Sequence, residues 1–469
     1  MIIEEPARRT ELLGASQVLV LGGGPAGIAA AVSAARRGAR TVLIERYGFL
    51  GGMGTAGGVT NFAGLYGRRL GTIQQLVHGV VDELLERIDR LGGLNAPQDG
   101  LQGRIRVRSY DVPAYKCAAD QMLREAGVEL LFHALCCGVV MSGSRRVDAV
   151  LLETRAGRRA WRAQEFIDAS GDGDLAAHAG VPWDYGDGLG NALYPSTMAL
   201  IGGVDAPRAR ATVGEFGAID RLMEAAAARH AFARRGAILR PQRDPTRWRA
   251  NVTQLRNTRG QAANALDPHE LTQAELDGRR QVVDYLRFLR EEVPGFEHAE
   301  LLDLPAQVGV RETRRVRGRY RLTGEDVVNG ARFDDVIGLN AWPVEQHVEG
   351  GVTWSFPVDP DNAYNQLPLR MLRPLGVDNL WVAGRCASME HLGQSAARAS
   401  GACFVMGQAA GTAAALRCAS TGLDLDDADG LLRLQRALRE DGVDLDDGAR
   451  GDGSRSLAAR QGRPASAAA

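Results

Sequence analysis

A chain of 469 residues is too long for one small core, so two or three domains are expected. With 45% hydrophobic and 24% charged residues it has globular composition, and its net charge of −1 excludes a whole-molecule nucleic-acid signature. The six cysteines form no CxxC and the eight histidines no HxxxH, so no metal or iron–sulfur site is expected.

Most of the cysteines lie in apolar segments and are expected to be buried thiols in a reducing cytoplasm. Lys116 is the single lysine, which points to a GC-rich bacterial source. Residues 1–16 form a polar lead-in. Arg8-Arg9 ahead of Val18 to Leu21 is not read as a twin-arginine export signal, because Gly22-Gly23-Gly24-Pro25 breaks the apolar run. A cytoplasmic location without a membrane span is expected.

Gln17 to Glu45 organises the chain. An apolar run, Val18 to Leu21, is followed by Gly22-x-Gly24-x-x-Gly27, a small-residue helix from Ala26 to about Arg37, and a second apolar run ending on Glu45. In a dinucleotide-binding turn of this kind, the first glycine allows the tight turn. The second admits a pyrophosphate to the backbone, and the third lets helix and strand pack closely. The helix start, with Pro25 and Ala26, offers N–H groups and partial positive charge to phosphate. Glu45 follows Gly27 by 18 residues, near the ~20 expected of an acid that accepts from ribose hydroxyls.

Arg46 to Gly58 is glycine-dense and suits a loop lying against a cofactor. Gln74 to Leu91 has helical spacing, Leu94 to Gly103 is loop, Pro113 to Ala126 is helix, and Val128 to Leu135 a buried strand. Val139 to Met141, Val147 to Glu153 and Arg158 to Arg162 alternate as an antiparallel β-meander. Phe166 to Asp174 closes a strand on a turn, with Asp174 as N-cap of a short helix. From Asp205 to Gly260 twelve arginines face five acids, giving an inserted helical region of local charge +7. Leu271 to Glu292 is an amphipathic helix. Leu301 to Leu322 reads as two strands around Arg311-Glu312-Thr313-Arg314-Arg315. Trp342, His347 and Trp354 fall in an irregular aromatic part. Asp378 to Cys386 returns to a strand, and Gly401 to Arg417 is a long small-residue helix whose Gly407 and Gly411 suit packing against a sheet. Leu431 to Leu438 is a terminal helix. The boundaries expected are 1–203 with 374–448 for a discontinuous nucleotide domain, 204–373 for a substrate or cap domain, and 449–469 for a disordered tail.

Four stretches together resemble the FAD-dependent oxidoreductases of the glutathione-reductase-like group, relatives of fumarate reductase flavoprotein subunits and tRNA uridine-modifying flavoproteins. They are LGGGPAGIAAAVSAARRGARTVLIERYGFLGGMGTAGG, FIDASGDGDLAAHAGVP, VGVRETRRVRGRYRLTGEDV and NLWVAGRCASMEHLGQSAARASGACFVMGQAAGTAAAL. The resemblance implies an α/β fold: a doubly wound, Rossmann-like FAD-binding domain, with a parallel sheet plus β-meander, and an inserted α+β substrate domain. It implies that Gly22, Gly24 and Gly27 hold the FAD pyrophosphate and that Glu45 binds the adenosine ribose, with Pro25, Ala26 and Arg46 as further cofactor-binding residues. Gly51 and Gly52 would approach the pyrophosphate and flavin. Ser170, Gly171 and Asp172 would lie near the adenine half, and Gly384 and Arg385 at the ribityl chain or phosphates. The helix from Gly401 would aim its N-terminus at the flavin. Arg398 to Cys403 departs from the relatives, which commonly carry a proline and less alanine there.

A second GxGxxG and a CxxC redox pair are both lacking, which argues against a disulfide reductase. His391 is a candidate acid or base, the alternative being a structural hydrogen-bonding histidine. Arg398, Arg311 and Arg314 are candidates for binding a substrate carboxylate or an oxyanion, the alternative for the RETRR pair being an ion pair with Glu312. His347 is a further candidate. The expected activity is hydride transfer between a small polar or anionic metabolite and flavin N5. The alternatives are a tRNA-modifying flavoprotein and a non-catalytic or electron-transfer flavoprotein subunit. No nucleic-acid or membrane partner is expected, and a homodimer is the assembly left open.

Overall fold

The computed structural model describes residues 3–4, 6–214, 219–236, 238–420 and 422–446. The expected tail, 449–469, lies outside them. The central sheet is five-stranded and wholly parallel, in the order Leu380–Val382, Glu165–Asp168, Val18–Leu21, Thr41–Glu45, Glu129–Phe132. Val18–Leu21 and Thr41–Glu45 are buried along their whole length. That is the reading of an uninterrupted apolar run in a parallel sheet covered on both faces. Glu129–Phe132 is an edge strand and only partly buried, not the buried strand expected for Val128 to Leu135.

Helix Pro25–Arg36 follows the glycine turn and packs on the long helix Ser400–Ala419. A Cβ on Gly407 would stand 2.0 Å from the Ala26 carbonyl oxygen, and one on Gly411 2.1 Å from that of Ala30. The two glycines therefore serve a helix–helix contact rather than the helix–sheet contact expected. Small residues recur along both helices because their backbones touch. The long helix buries every residue from Gly401 to Ala415.

The meander is present as Leu135–Ser142, Arg146–Thr154 and Gly157–Arg162. It gains a fourth strand from the supposed lead-in: Glu11–Ala15 runs parallel to Gly157–Arg162. This strand has no apolar alternation to betray it. Leu12 and Leu13 stay exposed, and it is held by its backbone and by Gly14 lying under the Trp161 ring.

A second sheet, antiparallel, runs in the order Ile238–Pro241, Trp248–Asn251, Met198–Gly202, Glu300–Asp303. Helix Pro268–Glu292, capped by Asp267, covers it. Trp248, Phe288 and Phe296 are fully buried between them, each worth about 1.5–3 kcal/mol. The Asp205 to Gly260 region is thus not simply helical. It holds two helices, Ala206–Val213 and Asp220–Ala226, and two of these strands. The long charged side chains masked the strand alternation.

Other expectations are corrected locally. The helix expected from Gln74 begins only at Val80, where Gly79 takes φ +101° and Asp82 accepts its N–H at 3.0 Å. Thr72–Gln75 is instead a strand against Tyr66–Arg69. Gln98–Gly100, expected as loop, pairs with Ile105–Ser109. The RETRR stretch is largely outside strands, with only Arg315–Val316 assigned. The aromatic segment is a hairpin, Val344–Val348 with Gly351–Ser355. Of the cysteines, Cys136, Cys386 and Cys403 are buried, Cys137 and Cys418 partly so, and Cys117 is exposed. Among the described residues no single helix is long and apolar enough to cross a membrane.

Candidate active site

One cleft with about 1940 Å³ of empty space, its open mouth included, runs from the glycine turn to the face of the second sheet. Its first end is a backbone cradle. Gly22 takes φ +98°, and a Cβ on Gly27 would lie 1.8 Å from the Gly22 carbonyl oxygen. Gly24 caps helix Pro25–Arg36 with no side chain across it. The second glycine loop folds over the first: Gly51 N–H donates to the Gly23 carbonyl at 2.8 Å, and Gly51 and Gly52 take φ +108° and +53°. A Cβ on Gly52 would meet Gly24 Cα at 2.8 Å. Bare backbone and an open helix start suit a pyrophosphate.

Glu45 ends its strand at the lip of this cradle. Its carboxylate accepts from Gly23 N–H at 2.6 Å and Tyr47 N–H at 3.0 Å. Burial pushes its pKa up, and those two backbone donors hold the rise back. Ser170, Gly171, Arg46, Gly384 and Arg385 line the same end. Asp172 does not. Its side chain turns beneath them and joins Arg385 at 2.7 Å, Arg46 at 3.1 Å and the Thr313 hydroxyl at 2.9 Å. Asp174 is not the expected N-cap either. Gly173 holds that position, and Asp174 pairs with Arg314 at 3.0 Å. Asp168 does the capping work, accepting from Ala176 N–H at 2.9 Å.

At the middle of the cleft the long helix presents its N-terminus, with Ala399, Ser400 and Cys403 on the wall. Gly401 is one step away. Its Cα packs on the Gly64 backbone, where a Cβ would come within 2.0 Å of the carbonyl oxygen. The helix dipole therefore faces the cleft through Ser400, and Gly401 permits the approach.

The far end brings together three of the five catalytic candidates. Arg311 is buried and donates to the Tyr194 carbonyl at 2.6 Å and the Ser196 hydroxyl at 2.7 Å. Arg398 donates to the Glu345 carbonyl at 3.1 Å and keeps a buried Nε without a partner. His347 Nε2 stands 3.2 Å from Glu345 Oε1. Burial, then the Arg311 charge, pushes the His347 pKa well down, so the ring is neutral. Glu345 is held ionised: burial opposes this, but donors from His347 and Trp342 and the Arg398 charge outweigh it.

His391 and Arg314 lie off the cleft. His391 Nδ1 is 3.1 Å from Glu312, which is wholly buried and also accepts from Gly186 N–H, Leu193 N–H and Arg315. His391→Gln is expected to lower stability by about 1 kcal/mol through one weakened hydrogen bond, and to leave the flavin spectrum unchanged. A shifted visible band in that variant would place His391 at the cofactor after all. Arg240, Tyr110, Tyr115 and Glu345 also line the far end and were not candidates from sequence. No signal in the sequence marks them: only the pairing of Ile238–Pro241 with Trp248–Asn251 puts Arg240 and Arg249 on the same sheet face.

No curated protein sequence matches the chain. Among solved structures it is similar to a geranylgeranyl bacteriochlorophyll reductase-like protein from Thermoplasma acidophilum, at 13% identity and TM-score 0.44 over 91% of this chain and 84% of that one. It is also similar to a triple mutant of the flavin-dependent brominase Bmp2, at 15% identity and TM-score 0.46 over 91% and 84%. The myxobacterial chondrochloren halogenase CndH matches at 14% and TM-score 0.42 over 91% and 79%. Likeness at this level carries no further argument. The profile of the family described as FAD dependent oxidoreductase matches residues 17–438. The glycine cradle, Glu45 at its lip and the helix start fit that cofactor, so the chain belongs to the FAD-dependent oxidoreductase family and FAD is its cofactor.

Proposed function

We propose that the protein transfers a hydride between a small polar or anionic metabolite and flavin N5, with the second sheet and the aromatic hairpin forming an inserted substrate domain. The observation that supports this is the continuity of the cleft, which joins the glycine cradle to a chamber lined by Arg240, Arg311 and Arg398. Bound FAD supplies the electron-accepting chemistry. The chain supplies the rest. The long helix places partial positive charge where a reduced flavin carries negative charge. Arg311 and Arg398 are fixed by backbone and hydroxyl acceptors, so their cationic faces are oriented before a substrate arrives. Neutral His347, backed by ionised Glu345, is placed to hold or move a proton at its ring nitrogen.

Of the twelve arginines that motivated the tRNA-modifying reading, Arg234, Arg240 and Arg249 are buried and so do not contribute to a basic surface. The test is anaerobic mixing of the FAD-loaded protein with a panel of small hydroxy and amino acids, followed by the visible flavin band. Bleaching by a member of the panel, with an oxidised product in stoichiometric yield, is expected. Bleaching by a nicotinamide alone, with product formed only on adding oxygen, would replace hydride transfer from the metabolite by oxygen chemistry.

A further inference from the structure

Helix Pro268–Glu292 ends on two acids, Glu291 and Glu292. The last turn of a helix carries partial negative charge and favours cations, so two carboxylates there need a counter-charge. The basic residue of that turn, Arg290, does not supply it, because its Nε donates to the Ala299 carbonyl at 2.7 Å. Arg229, in the turn after helix Asp220–Ala226, holds Glu292 by two bonds of 2.9 Å. Among the described residues, Glu291 meets no basic side chain but His230.

His230 follows Arg229 in the same turn, its backbone N–H donating to the Ala226 carbonyl at 3.0 Å. Its side chain is only 3% exposed. Phe288 and Phe232 flank the ring at 5.5 and 6.2 Å, ring centre to ring centre. Nε2 lies 3.3 Å from Glu291 Oε2 and 3.5 Å from Glu292 Oε1. Yet both ring nitrogens are buried with no hydrogen-bond partner, so neither carboxylate sits where an Nε2–H would point. A buried polar group left this way is costly.

The spacing fits a different occupant. Nitrogen and oxygen ligands at about 2.0–2.1 Å from a tetrahedral metal stand about 3.3–3.4 Å from each other. The three ligating atoms all lie within 4.8 Å of one another, the one such group among the described residues. An imidazole with two carboxylates suits zinc and its first-row neighbours, whereas calcium and magnesium take shells of oxygen. None of the three residues lines the cleft of the glycine turn.

We propose that His230 Nε2, Glu291 and Glu292 form a structural site for one divalent metal ion of the zinc class, with water completing the tetrahedron. The ion pins the turn after Asp220–Ala226 to the end of Pro268–Glu292 and neutralises acids that the helix dipole disfavours. The ligands come from two separate stretches, so no short motif announces them. His230 Nδ1 lacks the acceptor that orients most metal-binding imidazoles, so micromolar rather than nanomolar affinity is expected. The site does not depend on the flavoenzyme reading.

Zinc chloride is the probe, titrated into metal-stripped, FAD-loaded protein that carries no affinity tag, and followed by calorimetry and thermal melting. One saturable equivalent is expected, with magnesium and calcium at least about 100-fold weaker. His230→Gln should weaken zinc about 100-fold and Glu291→Gln about 10-fold. Arg229→Gln should tighten it, because the guanidinium competes for Glu292. Zinc should raise the melting temperature of wild type and leave that of His230→Gln unchanged. Absence of zinc uptake would overturn the proposal. So would equal affinity in wild type, His230→Gln and Glu291→Gln, which would make the ion adventitious. Glu291 is exposed, so Glu291→Gln decides the question if His230→Gln melts early.

Discussion

Replacing Gly24 with alanine is expected to weaken FAD binding about 100-fold, equivalent to ~2.7 kcal/mol, while the FAD-free protein melts within a degree or two of wild type. Replacing Gly27 with alanine is expected to lower both the melting temperature and the affinity. The two glycines sit three residues apart in one turn, yet their surroundings differ. Gly24 has φ −73°, which any residue adopts, and a Cβ there would meet only Gly52 Cα at 3.7 Å. Protein leaves that space free, so the added methyl collides with a ligand alone. A Cβ on Gly27 would overlap the Gly22 carbonyl at 1.8 Å, which forces helix and strand apart. Overpacking of that kind costs about 1–3 kcal/mol or more. Thermal melting of the FAD-free proteins and fluorimetric FAD titration check both. An unchanged FAD affinity in Gly24→Ala would mean that the pyrophosphate does not pass over this turn.

The glycine turn was legible in the sequence because its constraints are local. Spacing, strand, helix start and acid all lie between Gln17 and Glu45, and each is a consequence of backbone geometry. The long helix from Ser400 was legible for the same reason, although its glycines proved to meet Ala26 and Ala30 of the other helix rather than a sheet. What sequence could not show was where the arginines of residues 205–260 point. A charged side chain is ordinarily solvated, and only pairing of Ile238–Pro241 with Trp248–Asn251 turns Arg240 and Arg249 inward. RETRR illustrates the converse. Five consecutive residues carry similar promise on paper, yet the turn sends Arg311 to the cleft, Arg314 to Asp174 and Arg315 to Glu312. His391, next to the cleft in sequence, is drawn off by the same buried Glu312.

The second large effect is expected at Asp172, whose carboxylate lies between two arginines that line the nucleotide end. Asp172→Ala leaves Arg385 and Arg46 without their shared anion; the pair is only partly buried, so the cost falls at or below the low end of the about 3–5 kcal/mol for breaking a buried pair from one side. The pH dependence follows from the direction of the shift. Burial alone would raise the Asp172 pKa, but the Arg385 and Arg46 charges outweigh it and hold it below the usual carboxylate value. Its contribution is therefore fully present above the unfolded value near 3.8 and is lost as pH falls through the lower folded value. The part of the stability gap that comes from the Asp172 charge itself should be full above about pH 4 and close in strong acid. Asp174 runs the opposite way. Burial, then the Asp172 and Asp168 charges, raises it to about 6, so its ionisation opposes folding and stability declines as pH climbs from about 4 to about 6. Removing the Asp172 charge should flatten that decline. Denaturant melts of wild type, Asp172→Ala and Asp172→Asn at pH values spanning about 1.5 to 7 check both slopes. A gap that stays constant across that range would mean that Asp172 acts through packing and its Thr313 hydrogen bond, not through the charge that the two arginines share.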